Sequence, residues 1–182
     1  MILSDKTIKN YISEGNIKIF PEFSLADIRP TGIRLHLGKE LLIPIEGQKV
    51  DLNAEENIEF DRLYISEEGF ILYPGQFVLA STYEKFQVPR DIVCHVEGRS
   101  TIARIGLAVH CTSSIIDGNF EEARTIVLEI KNEGPFDIIL RYRAAIAMLS
   151  FSQLTTEIEQ SAQKQYQGQD GAIAANFMLQ KR

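Results

Sequence analysis

The chain has 182 residues, 45% of them hydrophobic and 24% charged, with a formal net charge of -6. That balance fits one globular domain over residues 1–182 with a real core, and it disfavours nonspecific grip on nucleic acid, although a local basic cluster can still hold a small anion. No apolar run nears the roughly 18 residues of a membrane span, the opening Met1-Ile2-Leu3-Ser4-Asp5-Lys6 lacks signal-peptide order, and Cys94 and Cys111 give no disulfide framework, so a reducing cytoplasm is the expected setting.

From the N-terminus, Ser4 predicts a cap for a first helix. Ile8, Tyr11 and Ile12 fall on one face of it, and Gly15 ends it. Short apolar runs follow: Leu41 to Ile43, Phe70 to Tyr73, Phe77 to Ala80, Ile92 to Val96 and Leu107 to His110. Thr125 to Ile130, Asp137 to Leu140 and Ala144 to Phe151 continue the series. Turn residues separate them, among them Gly47, Pro74-Gly75, Pro89, Gly98, Asp117-Gly118-Asn119 and Asn132 to Pro135. Strands broken every 8–12 residues or so point to a mainly β barrel or sandwich. No internal repeat or linker divides the chain. The tail differs: five of the ten residues from Gln160 to Gln169 are glutamine, around Tyr166 and Gly168. The segment from about 160 to 182 is therefore expected to be flexible, either closing over a ligand or ending loosely.

Two stretches carry chemistry. Gly98-Arg99-Ser100-Thr101-Ile102-Ala103-Arg104 packs two arginines and two hydroxyls into six residues after a strand-like run. Ser100 is expected to cap a short helix or turn, whose backbone N–H groups attract anions while Arg99 and Arg104 supply paired donors. The plain alternative is a surface turn with solvated arginines. Glu129, in contrast, interrupts Ile126-Val127-Leu128-Glu129-Ile130. In a strand it shares a face with Thr125 and Val127, and apolar residues on both faces predict burial on both sides. A buried carboxylate costs several kcal/mol unless paired or neutral, and such an acid suits a proton shuttle. A structural glutamate paired with Arg104 or Arg124 is the alternative.

A zinc site is set aside. His95-Val96-Glu97 matches half of the zinc deaminase signature, but the P-C-x-x-C half is absent, and His36, His95, His110 and Cys111 lack ligand spacing.

In order along the chain, the residues resemble the dCTP deaminase branch of the trimeric dUTPase-like superfamily. Met1 to Asp5 is similar to its opening, Pro30 to Gly38 to its first motif, and Val96 to Leu107 to its most specific motif. Ile116-Asp117 with Ile126 to Glu129, Ala147 to Phe151 and Tyr166 to Ala172 resemble later motifs. The resemblance implies a mainly β, distorted barrel or jelly-roll-like dUTPase-type fold with a short N-terminal helix. It also implies a homotrimer with shared sites.

The implied reaction is metal-independent deamination of dCTP to dUTP and ammonia, which feeds thymidylate synthesis. Glu129 would activate water for attack at C4, with Arg104 beside it. Arg99, Ser100 and Thr101 would serve the phosphates, with Asp117, Tyr166 and Gln169 completing the substrate site. Magnesium would arrive on the triphosphate and dTTP is a candidate effector; no zinc, nucleic acid or membrane is implied. Two other readings are dUTP hydrolysis to dUMP, alone or after deamination, and a noncatalytic nucleotide sensor. Met148 stands where dUTP-cleaving relatives often carry glutamine. Three positions depart from the family pattern. Arg34 replaces an aspartate and would pair with Glu121 or Glu122, the segment from Asp117 to Glu129 is about two residues longer than the family pattern, and Gln165 replaces a lysine.

Overall fold

In the computed structural model, the Ser4 side chain accepts the Thr7 N–H at 3.5 Å, as the cap pattern predicts. Described are all residues except 22, 53–56, 118–121, 160–168 and 178–182. Helix α1 (Asp5–Ser13) buries Ile8 against the core, and Gly15 ends it at φ +76°.

Strands follow: β1 (Lys18–Phe20), β2 (Ile28–Arg29), β3 (Gly32–Pro44), β4 (Phe60–Tyr64), β5 (Phe70–Leu72), β6 (Phe77–Gln87) and β7 (Ile92–Gly98). After the short helix α2 (Ser100–Ala103) come β8 (Leu107–Ala108), β9 (Ile115–Ile116), β10 (Arg124–Asn132), β11 (Ile138–Leu140) and β12 (Ala145–Gln153). Ten strands make one curled sheet along the path β8-β10-β6-β3-β12-β7-β9, with β1 on β6 and with β2 and β4 on β3. Strands β5 and β11 pair separately. The mainly β expectation is met.

The long β3 makes the curl. Its first half pairs with β12, as in Ile33↔Leu149 and Arg34↔Met148, and its second half pairs with β4 and β6, as in Leu41↔Ala80. At the junction Gly38 lies so close to β6 that a Cβ there would sit 2.7 Å from Ser81 Oγ. Only glycine permits that approach. Ile33, Leu35, Leu37 and Leu41 point inward from β3 and are fully buried with Phe86, Phe151, Leu128 and Ile130. Each contributes about 1.5–3 kcal/mol of apolar burial.

Buried Asn132 clamps the far end of β10. Its Nδ2 donates to the Leu72 carbonyl at 2.9 Å and the Phe136 carbonyl at 2.6 Å, and its Oδ1 accepts the Gly134 N–H at 3.0 Å. Irregular pairing between β10 and β6 falls between Thr125 and Val127, where the Ile126 N–H turns to the buried Thr82 Oγ1 at 3.0 Å.

Candidate functional site

A cavity of about 580 Å³ opens against β10, floored by β10 and β6 and walled by β9, the segment after β8 and the tail. Glu129, Asp117, Arg124, Gln169 and His110 all line it, with Phe60, Phe77, Leu79 and Val127 as apolar surface. Glu129 sits opposite Leu79 of β6. Its Oε2 accepts the Cys111 N–H at 2.9 Å, and its own N–H donates to the Val109 carbonyl at 3.1 Å. One carboxylate oxygen is thus pinned by a charge-assisted bond, while Oε1 bonds to no described residue. A carboxylate so held can accept a proton from water in the cavity and release it.

Three expectations about this strand change. Glu129 is half-buried rather than sealed, because its face of β10 opens into the cavity while Leu128 and Ile130 pack the core. No ion pair joins it to Arg104 or Arg124, so it is not a structural salt link. Ile126 also lines the cavity, because the irregular pairing at Thr125 breaks the simple two-face alternation.

Asp117 and Gln169 both line the cavity, and 118–121 between Asp117 and β10 lie outside the described residues. Gln169 is buried: its Nε2 donates to the Thr125 carbonyl at 3.2 Å, and its carbonyl accepts the Thr125 N–H at 3.3 Å. Tyr166 lies outside the described residues. Sequence reasoning weighed Arg124 only as a salt partner for Glu129. It is a cavity residue in its own right, and burial pushes its guanidinium down to about 10 while Cys94 and Asp117 pull the other way. A lone arginine at a strand start gives no signal that separates a cavity wall from a surface.

The phosphate-type segment stands elsewhere. None of Arg99, Ser100, Thr101 or Arg104 lines the cavity of its own chain. Ser100 is not the cap: Arg99 holds that position without a side-chain cap bond, and Ser100 is the first residue of α2. The hydroxyls of Ser100 and Thr101 and the guanidinium of Arg104 are exposed and bond to no described residue. Arg99 is tied back, its Nη1 donating to the Ala145 carbonyl at 2.5 Å. Burial lowers its pKa, and the positive charges of Arg34 and Arg29 lower it further.

The reversed charge at Arg34 has a partner close at hand in Asp27. Arg34 Nη1 donates to Asp27 Oδ1 at 3.1 Å. Next to it, buried Glu84 takes the His36 N–H at 3.0 Å and meets His36 Nδ1 at 2.5 Å. Glu122 is exposed, and residue 121 lies outside the described residues.

The dCTP deaminase-like family profile matches residues 2–154. The chain belongs to the dCTP deaminase-like family. It is 39% identical over 163 residues to a protein of Methanobrevibacter smithii named "dCTP deaminase, dUMP-forming", covering 87% of this chain and 83% of that protein. A Natronomonas pharaonis protein named "dCTP deaminase" is 34% identical over 190 residues, covering 97% of this chain and 95% of the relative. The fold is also that of the 2'-deoxycytidine 5'-triphosphate deaminase structure from Agrobacterium tumefaciens, at a TM-score of 0.64 and 16% identity. That match covers 82% of this chain and 47% of the larger chain, so the present chain spans about half of it.

Proposed function

We propose that this chain is an enzyme that deaminates dCTP hydrolytically. The observation that carries the reading is Glu129. It is a half-buried carboxylate with one oxygen pinned by the Cys111 N–H and the other facing a cavity shared with Asp117 and Gln169. The cavity's size of about 580 Å³ suits one nucleoside. In this reading Glu129 takes a proton from water as the oxygen bonds to C4 of cytosine. It then returns the proton to the amino nitrogen as the C–N bond breaks, releasing ammonia. Holding the water against C4 inside walls supplies proximity as well.

The phosphates need a second element. Because α2 stands outside its own chain's cavity, we propose a homotrimer in which α2 of a neighbouring copy closes each site. Arg99, Ser100 and Thr101 of that copy would grip the triphosphate, and Arg104 would approach the water. Magnesium fits here as a companion of the triphosphate. Its ligands would be phosphate oxygens and water, since no three His, Cys, Asp or Glu side chains converge among the described residues. Tyr166 is proposed for the same site, dTTP as an effector, and the cytoplasm as the setting.

A second reading extends the first: relatives named dUMP-forming favour continued hydrolysis of dUTP to dUMP and pyrophosphate, with Asp117 positioning water at the α-phosphate. One incubation with dCTP and magnesium tests both, with ammonia measured and dUTP, dUMP and dCMP separated. Ammonia with dUTP supports deamination alone, and ammonia with dUMP and pyrophosphate supports the coupled reaction. Tight dCTP binding with no turnover over hours would overturn both in favour of a sensor.

A further inference from the structure

The tail contributes Gln169, Ile173, Ala174 and Ala175 to the cavity wall. Between Gln169 and Ile173, Ala172 is buried against Leu42 and Leu79. Its N–H donates to Glu40 Oε2 at 3.2 Å. The other oxygen of Glu40 pairs with Arg62 across the β3–β4 ladder. Gly171, at φ +81°, lies so close that a Cβ on it would fall 2.2 Å from Glu40 Oε2. Thr125 Oγ1 donates to the Gly171 carbonyl at 3.2 Å, and Lys85 pairs with Asp170 at 2.8 Å. Of these contacts the Lys85 pair is exposed and therefore weak. Glu40 is different: its side chain is 13% exposed, and its carboxylate reaches the tail backbone directly. Burying a carboxylate at mid-strand is costly unless it is paired and hydrogen-bonded. The Ala172 N–H bonds one of its oxygens and Arg62 is its ion-pair partner, and neither the core nor the proposed chemistry needs the charge.

We propose that Glu40 is a positioning residue that latches the tail at Ala172, so that Ile173 to Ala175 form a fixed wall of the nucleotide cavity. The wall's role in nucleotide binding rests on the proposed function; the latch does not. Two variants approach it from opposite sides. Glu40→Ala removes the acceptor. Gly171→Ala leaves Glu40 intact but strains a left-handed backbone and drives a methyl into the carboxylate. Glu40→Gln keeps an acceptor oxygen and serves as the conservative rescue.

The first readout is hydrogen–deuterium exchange of the tail peptide 169–177, without nucleotide, in the full chain. Exchange at Ala172 should rise about 10-fold or more in Glu40→Ala and in Gly171→Ala, as for loss of a charge-assisted bond, and should return most of the way in Glu40→Gln. The exchange of β10 should stay as in the parent, which separates a released tail from a misfolded sheet. The second readout is dCTP kinetics: KM should rise about 5–20-fold while kcat holds within about twofold, because the wall binds substrate but does not take part in proton transfer. Unchanged exchange in both Glu40→Ala and Gly171→Ala would overturn the latch. Faster exchange with KM unchanged would overturn the wall's role. If the parent protein does not turn over dCTP, the proposed function fails, and the exchange arm still decides the latch.

Discussion

The cavity around Glu129 and the turn around Ser100 both carry charged and polar groups, yet they are built in opposite ways. Around Glu129 the groups are tied down. One carboxylate oxygen is fixed by a backbone N–H, Gln169 exchanges bonds with Thr125, and Asn132 clamps the end of β10 with three bonds. At α2 the hydroxyls and Arg104 are exposed and bond to no described residue, on a helix of four residues. A preorganised wall suits chemistry that needs geometry before substrate arrives. Exposed donors on a short turn suit a surface that finds its ligand outside its own chain.

Four measurements break or sharpen this contrast. The largest effect is expected for Glu129→Gln, which keeps the shape but cannot shuttle a proton. Ammonia release should fall by about 10²–10⁴-fold while dCTP binding, read by calorimetry, stays within a few fold. Loss of binding without loss of chemistry per bound substrate would remove Glu129 from its role. Next, Arg104→Ala should lower turnover by about 100-fold yet leave the unfolding free energy within about 0.5 kcal/mol of the parent, because its side chain is exposed. A marked loss of stability would mean that α2 is a structural element instead. Asn132→Ala should do the reverse, costing about 2–3 kcal/mol of stability in urea unfolding by stranding the buried Leu72 carbonyl, the partly buried Phe136 carbonyl and the Gly134 N–H.

The smallest effect concerns Cys94, buried on β7 near Arg124 of the cavity wall. Burial pushes its thiol up to about 12 from an ordinary value of 9.0. A raised folded-state pKa means that this contribution is complete below pH 9 and is lost as pH climbs toward about 12. At pH 10 the thiol should account for about 1 kcal/mol of lost stability, which Cys94→Ala should abolish. An alkaline stability profile identical in the two proteins would place the titration elsewhere.

Much of this was legible in the residues. Ser4 and Gly15 bracket α1, and each apolar run overlaps an observed strand, although Tyr73, Val109, His110, Asp137 and Ala144 fall outside. Glu129, Asp117 and Gln169, distant along the chain, meet at one cavity. The first half of β3 carries no continuous apolar run, because Ile33, Leu35 and Leu37 alternate with Arg34 and His36, so its full length from Gly32 is harder to read than the run at Leu41 to Ile43. Asp27 as the partner of Arg34 was not legible either, since nothing local ties a 3₁₀ turn at Leu25–Asp27 to the start of β3. The capping role given to Ser100 failed by one residue, within the usual uncertainty of a helix end. The separation of α2 from its own chain's cavity is not written in the local pattern, because a run of arginines and hydroxyls records donor chemistry and not where the fold carries it.

The most direct test of that separation mixes two disabled proteins, Glu129→Gln and Arg104→Ala. If α2 of one copy completes the cavity of the next, co-refolded trimers regain intact sites, up to about a quarter of the total for random assembly, and ammonia release returns far above the sum of the two alone. Activity that stays at that sum after co-refolding would show that Glu129 and Arg104 serve the same chain's site, or no common site at all.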